Sequence, residues 1–190
     1  MMSRVVVING LPGVGKTSLA NRIAQSLGWP LLTKDMIKET LFESIGWGDR
    51  PWSRKLSAAS MDLLFLWLHR EALAGRDVVI EGNFETHRDT ERFLRAVQQT
   101  PTRWVQVLVV CDGDVLLARH RARGLSGKRH PGHHEGALLD ELQEVLKQGE
   151  NAPLALPGLC IKVDTTDFQL VQPDHIAERV IQAFASEQPV

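Results

Sequence analysis

The sequence predicts an α/β fold in which a parallel sheet is covered by helices on both faces. Three observations predict it. Short apolar runs alternate with segments of helical periodicity along the chain of 190 residues, the order that specifies a parallel sheet. The strand candidates read as continuous apolar stretches, as strands buried on both faces do. The length suits one domain, residues 1–190, with a hydrophobic content of 43% and a formal net charge of -1, which argue against disorder.

Arg4 to Ile8 is a β-branched run that stops at Asn9-Gly10, a buried strand. From Lys16 to Leu27, Leu19, Ala20, Ile23, Ala24 and Leu27 recur at helical spacing, and Gly28 and Pro30 close the helix. Leu31-Leu32-Thr33 is a short second strand, followed by a helix from about Asp35 to Glu43. Gly46 to Ser53, rich in Gly, Pro and Trp, reads as a loop. A long helix follows, Leu56 to Ala74, apolar nearly all round at its centre and so expected to be mostly buried, with Trp67 in the core. Val78-Val79-Ile80 is a third strand, Thr90 to Gln98 a helix, and Trp104 to Val110 a fourth strand. Val115 to Arg123 is helical, Gly124 to Gly136 an irregular loop, and Ala137 to Lys147 helical again. Leu159 to Val163 is a fifth strand and Pro173 to Ala185 a final helix.

Composition excludes several classes. The balanced charge gives no electrostatic reason to expect a nucleic-acid binder. Two widely spaced cysteines, Cys111 and Cys160, make no disulfide framework and read as buried reduced thiols. No segment resembles a signal peptide, and the longest apolar stretch, Met61 to Leu68, is too short to span a bilayer. A soluble, cytoplasmic protein is expected. Nothing in the sequence indicates an oligomeric state.

Gly10-Leu11-Pro12-Gly13-Val14-Gly15-Lys16-Thr17 fits G-x-x-x-x-G-K-[ST] between an apolar strand and a helix. Phosphates need several donors converging on them. Glycines let successive backbone N–H groups point inward, and the helix that starts at Lys16 adds the positive end of its dipole. Lys16 is expected to reach the β- and γ-phosphates of ATP, with Ser18 closing the cradle and the Thr17 hydroxyl on Mg²⁺.

With the extra glycine at Gly13 the chain resembles the small P-loop kinases. It is similar to the nucleoside-monophosphate-kinase-like group and, within it, to the AAA-type kinases related to chloramphenicol phosphotransferase and the zeta-toxin kinases. The resemblance runs through Gly10–Ser18, Lys34-Asp35, Glu81-Gly82-Asn83-Phe84 and the Arg/Gly/His stretch from Arg119 to His133. It implies a three-layer P-loop NTPase fold: a five-stranded parallel sheet of order 2-3-1-4-5, with helices on both faces and a mobile lid, about residues 119–136.

Two carboxylates follow strands. Asp35 is either a helix N-cap, for which Asp is a favoured residue, or a group that faces the acceptor. In the resembling kinases a carboxylate here binds the acceptor and can serve as its base. Glu81 stands where P-loop proteins place a carboxylate near Mg²⁺, although Asp is commoner there. It could instead read the substrate beside Asn83, or simply close an apolar strand at the surface.

The lid stretch concentrates cations. Arginines supply planar, permanent donors to a phosphoryl group in flight, and a mobile segment lets the site open for nucleotide. Arg119, Arg123 and Arg129 are the candidates, and Arg119 and Arg123 are spaced to share a helix face. A solvated basic loop is the plainer reading. His130, His133 and His134 lack the partner ligands of a metal site and suit hydrogen bonding in the lid. Trp47 and Trp52 could stack on an acceptor or pin their loop. Asp164-Thr165-Thr166-Asp167 falls where the resembling kinases hold adenine.

The expected function is ATP- and Mg²⁺-dependent transfer of the γ-phosphoryl group to a hydroxyl of a small molecule. Transfer to a nucleoside monophosphate or a polynucleotide 5′-hydroxyl is the alternative, for which Arg50, Arg54, Arg88 and Arg92 could meet an acceptor phosphate. A binding module without phosphotransfer is a third. No N-K-x-D guanine-reading motif is present.

Overall fold

Val5, Val6, Val7 and Ile8 have no exposed surface, and they divide between two cores. In the computed structural model, which describes residues 2–127 and 129–186, they lie on β1 (Ser3–Gly10), the middle strand of the sheet. Side chains alternate across a strand, so Val6 and Ile8 enter one core and Val5 and Val7 the other. That is why the run is apolar at every position. Lys128, part of the basic stretch, lies outside the described residues, as do the side chains of residues 135–140.

The sheet has five strands in the order β2-β3-β1-β4-β5, as expected, with every neighbouring pair parallel. Its other strands are β2 (Leu31–Thr33), β3 (Val78–Gly82), β4 (Thr102–Val110) and β5 (Leu159–Asp164). One face is covered by α1 (Lys16–Leu27) and α7 (Pro173–Ser186), through Leu19, Ile23, Val180 and Phe184. The same core takes Leu116 and Leu146 from α5 (Gly113–Leu125) and α6 (Glu135–Lys147). The other face is covered by α3 (Arg50–Leu73) and α4 (Thr86–Ala96). There Phe93 makes edge contacts with Phe65, Phe84 and Trp104 at centroid distances of 4.9, 4.9 and 5.9 Å. The remaining helix, α2 (Lys34–Ile45), packs on α3 and on the ends of β2 and β3.

Several boundaries differ from those the sequence suggests. The loop expected over Gly46 to Ser53 ends at Asp49, whose side chain accepts the Trp52 N–H at 2.9 Å and caps α3. Pro51 lies in the first turn of that helix, where its missing N–H costs nothing. Leu63 and Leu66 are exposed and Trp67 only half-buried, so α3 buries a stripe rather than its whole circumference. The stretch Gly124 to Gly136 is less irregular than expected: α5 runs on to Leu125, a 3-10 turn forms at Pro131–His133, and α6 begins at Glu135. Cys111 is buried, but Cys160 is exposed because β5 is an edge strand. No described helix is long and apolar enough to cross a membrane.

Candidate active site

The strand order reverses at β1, between β3 and β4. The crevice beyond the carboxyl end of such a strand is where open α/β sheets bind ligands. Asn9, with no exposed surface, shapes this end: its Oδ1 accepts the N–H groups of Gly10 (2.8 Å) and Phe84 (2.9 Å), and its Nδ2 donates to the Phe84 carbonyl (3.1 Å). The clamp ties the end of β1 to the segment after β3, and so sets Glu81 and Asn83 opposite the loop at Gly10–Thr17.

That loop is built on close approaches. A Cβ at Gly10 would lie 2.3 Å from the Val109 carbonyl oxygen. At Gly15, where φ is +90°, it would lie 2.7 Å from the Phe168 ring. Gly10→Ala is expected to cost about 1–3 kcal/mol through overpacking against backbone that cannot retreat, read as a lower denaturant midpoint at unchanged m-value. An unchanged midpoint would show that the β1–β4 contact is looser than described.

Lys16 is buried and its Nζ donates to the Leu11 carbonyl at 2.8 Å, 4.0 Å from Glu81 Oε1. Burial pushes its ammonium down to about 8, against the opposing pull of Glu81 and Asp35. Thr17 Oγ1 donates to Glu81 Oε2 at 3.0 Å. Glu81 is the penultimate residue of β3 rather than a residue after it, and is only 4% exposed. Burial raises its carboxyl, with Lys16 opposing. The surface reading of Glu81 is thereby excluded.

Asp35 is not the cap of α2. Thr33 is, accepting the Met36 N–H at 3.0 Å, which leaves the Asp35 carboxylate for other partners. Arg129 Nη2 meets Asp35 Oδ2 at 2.5 Å and lies 3.3 Å from Nδ1 of His133, whose Nε2 is 2.9 Å from Glu39. Burial works to raise the Asp35 carboxyl, but Arg129, His133 and Lys34 together hold it at about 2. Burial, reinforced by Arg129, lowers His133 to about 3. A neutral His133 takes the Arg129 N–H on Nδ1 and donates from Nε2 to Glu39, so its tautomer follows from its partners.

Lys16, Thr17, Ser18, Asp35, Glu81 and Arg129 share one cavity of about 350 Å³, and Arg123 also lines it. Arg119 does not join them. It donates to the carbonyls of Thr165 and Thr166, both at 2.9 Å, on the opposite flank of the loop. The helical spacing of Arg119 and Arg123 therefore does not bring them to one group. Gly132 is docked on α3 through its carbonyl, which accepts from Ser53 Oγ at 2.6 Å. His130 stacks on Phe42 and lies 3.1 Å from Glu43, and His134 lies 2.8 Å from the Gly48 carbonyl.

Trp52 donates to the Gly46 carbonyl at 3.0 Å and pins its own turn, while Trp47 is exposed and its ring lies perpendicular to that of His130, centroids 5.9 Å apart. Neither lines the cavity. A second cavity of about 250 Å³ adjoins the first and shares Pro12, Asp35, Asn83, Arg123 and Arg129 with it. Lys34, Lys38, Arg50, Ser53 and Arg54 also line it. Sequence reading missed Lys38 and Ser53; the signal available was Lys38 following Lys34 by four residues on a helix that begins beside the site.

Residues 5–148 match the family described as AAA domain. A protein of Chloroflexus aurantiacus j-10-fl, described as a "putative kinase", is 34% identical with a TM-score of 0.88, over 95% of this chain and 98% of that one. A sugar kinase of Janibacter sp. HTCC2649 (20% identical, TM-score 0.53, 97% of this chain and 95% of that one) and a gluconokinase of Sinorhizobium meliloti 1021 (16%, 0.53, 96% and 91%) share the fold. Comparison with curated proteins finds no match.

Proposed function

The chain belongs to this AAA-domain family and has the fold of the small P-loop kinases, and from that premise we propose that it transfers the γ-phosphoryl group of ATP to a hydroxyl of a small molecule. The observation that carries the reading is the meeting of Lys16, the Thr17–Glu81 pair and the Asp35–Arg129 pair around a single cavity. A binding module needs the first of these. A phosphotransferase needs all three.

The roles follow from the chemistry of each group. The loop from Gly10 to Thr17 and the start of α1 receive the phosphates on backbone N–H groups. Lys16 leaves the Leu11 carbonyl for phosphate oxygens, a stronger acceptor because it is charged. Thr17 and Glu81 offer a hydroxyl and a buried carboxylate 3.0 Å apart, hard oxygen donors that fit Mg²⁺. Bound there, the ion would neutralise charge on the phosphate oxygens. Arg123 and Arg129, both lining the cavity, add fixed donors to the transferred group.

Asp35 accepts the hydrogen bond of the acceptor hydroxyl and aims its oxygen at the γ-phosphorus. As the new O–P bond forms and the bond to ADP breaks, the hydroxyl proton passes to an oxygen of the transferred phosphoryl group and from there to solvent water. A carboxylate held at about 2 is a weak proton acceptor, so its first contribution is orientation. The stretch about 119–136 acts as a lid whose Arg129 and His133 close on α2.

Glu81→Gln is expected to raise the Mg²⁺ concentration for half-maximal activity by about 10–100-fold, measured as magnesium titrations at saturating ATP. A displaced titration supports the metal role, and an unchanged one assigns Glu81 to the substrate. The reading as a whole is tested by mass spectrometry of a small-molecule extract incubated with protein, ATP and Mg²⁺. A new phosphorylated species with matching ADP is expected. Conformational change on ATP without any such product would identify a binding module instead.

A further inference from the structure

The second cavity carries a charge imbalance that phosphoryl transfer to a neutral alcohol does not require. Among the described residues lining it, Lys34, Lys38, Arg50, Arg54, Arg123 and Arg129 are cationic, and Asp35 is the sole carboxylate. Asp35 is engaged by Arg129. Arg50 and Arg54 both lean on Glu141, the latter at 3.7 Å. Lys34 and Lys38 are different: neither has a carboxylate within ion-pair distance among the described residues. Lys38 is 7% exposed, and among the described residues its ammonium meets the Ser53 hydroxyl at 3.0 Å and the Phe42 ring, centroid 5.3 Å away.

Two lysines four residues apart share one side of α2, Lys34 directly before Asp35 and Lys38 three residues after it. Burying an ammonium without a counterion costs free energy, and here burial pushes Lys38 down to about 8 and Lys34 in the same direction. An apolar residue at the buried position of Lys38 would avoid that cost. The presence of both lysines at the wall of a cavity that opens on the transfer site calls for a charge that arrives with a ligand. Arg88 and Arg92 lie farther out and are taken by Asp89 and Asp62, at 2.9 and 2.6 Å.

We propose that the second cavity holds an acceptor bearing an anionic oxygen group, bound between Lys34 and Lys38, with its hydroxyl presented at Asp35. The acceptor is thus a hydroxy acid or a phosphate ester of a small alcohol, not a neutral one. The word acceptor rests on the kinase reading; the anion site stands by itself.

The test is calorimetric titration of inorganic phosphate and, separately, acetate into protein saturated with Mg²⁺ and a non-hydrolysable ATP analogue, with glycerol as the neutral control. Saturation keeps the anions out of the phosphate loop. Binding of one anion and not of glycerol is expected, weakened about tenfold or more by Lys34→Gln, with analogue affinity unchanged. Tighter phosphate binding identifies a phosphate ester as the source, tighter acetate binding a carboxylic acid. Lys34 is partly exposed, so its variant tests the site even if Lys38→Gln, which severs the link to Ser53, fails to fold. Equal anion binding by wild type and Lys34→Gln, or no anion binding, overturns the proposal. Anion binding as expected, with no phosphorylated product from hydroxy acids, sugar phosphates or neutral polyols, sinks the kinase reading and leaves the anion site standing.

Discussion

Lys16→Met is expected to lower kcat by about 10²–10³-fold or more, the scale of losing a preorganised donor to developing charge. Methionine matches the length and most of the volume of the lysine stem, so the buried path of the side chain is kept. What is lost is the ammonium, which Leu11 holds 2.8 Å from its carbonyl, on the wall of the cavity. On the proposed roles, transition-state charge on the transferred group then lacks one of the cations that line the cavity. Binding of ATP should weaken less than turnover, because the backbone N–H groups of the loop remain. Steady-state kinetics with a responsive acceptor measure this directly. ATP consumption at the wild-type rate would show that the roles have been assigned to the wrong residues.

Asp35→Asn is expected to lower kcat by about 10²–10⁴-fold with little change in the KM for ATP. Asparagine keeps the shape but removes the charge that holds Arg129 at 2.5 Å and would hold the acceptor hydroxyl. The pH dependence separates orientation from base catalysis. With Arg129 outweighing the effect of burial and holding the carboxyl at about 2, Asp35 stays ionised from neutrality down to the range where the fold itself is threatened. No acidic limb from Asp35 is therefore expected between about pH 5 and 8. Arg129→Met removes the strongest lowering influence and leaves burial, so Asp35 should titrate at higher pH and an acidic limb should appear. A depressed carboxyl stabilises the fold above its unfolded value and loses that contribution as pH falls toward the folded one. The Arg129 variant should consequently lose less stability on acidification than the wild type. Equal pH profiles for the two proteins would break the link between Arg129 and Asp35.

What could be read from residue order alone was what depends on covalent neighbours. The phosphate loop is eight consecutive residues, Gly10 to Thr17, and its neighbours in space are largely its neighbours in sequence. The inner strands are legible because burial on both faces makes them apolar almost throughout, as in β1 and β3, whereas the strand order came from the family resemblance. Asn9 was illegible: two of its three hydrogen bonds reach Phe84, 75 positions away, and a lone Asn after a strand looks like a turn. Asp35 was legible as a carboxylate near the site but not as free of capping, since Thr33 competes for that role two residues earlier. Arg129 was legible as a cation, whereas Arg119 carried the same promise and went to the Thr165 and Thr166 carbonyls. Local charge cannot say which carbonyl or carboxylate lies across a fold. The start of α3 is masked in the sequence by Gly, Pro and Trp, which look like breakers, although Asp49 before Arg50-Pro51 is an N-cap followed by a first-turn proline. Lys34 was legible only as a member of the Lys34-Asp35 motif, and Lys38 was the largest omission. A pair of lysines on a helix is ordinarily solvated, and only the packing of Ser53 and Phe42 against Lys38 shows otherwise.

The most direct test of the central claim, a backbone cradle that grips a triphosphate, is equilibrium dialysis with radiolabelled ATP in the presence and absence of Mg²⁺. The account predicts saturable, stoichiometric retention that is strengthened by Mg²⁺ and diminished in Gly10→Ala protein that still folds. Retention no greater than that of a non-binding control, at ATP concentrations up to several millimolar and with Mg²⁺ in excess, would contradict it.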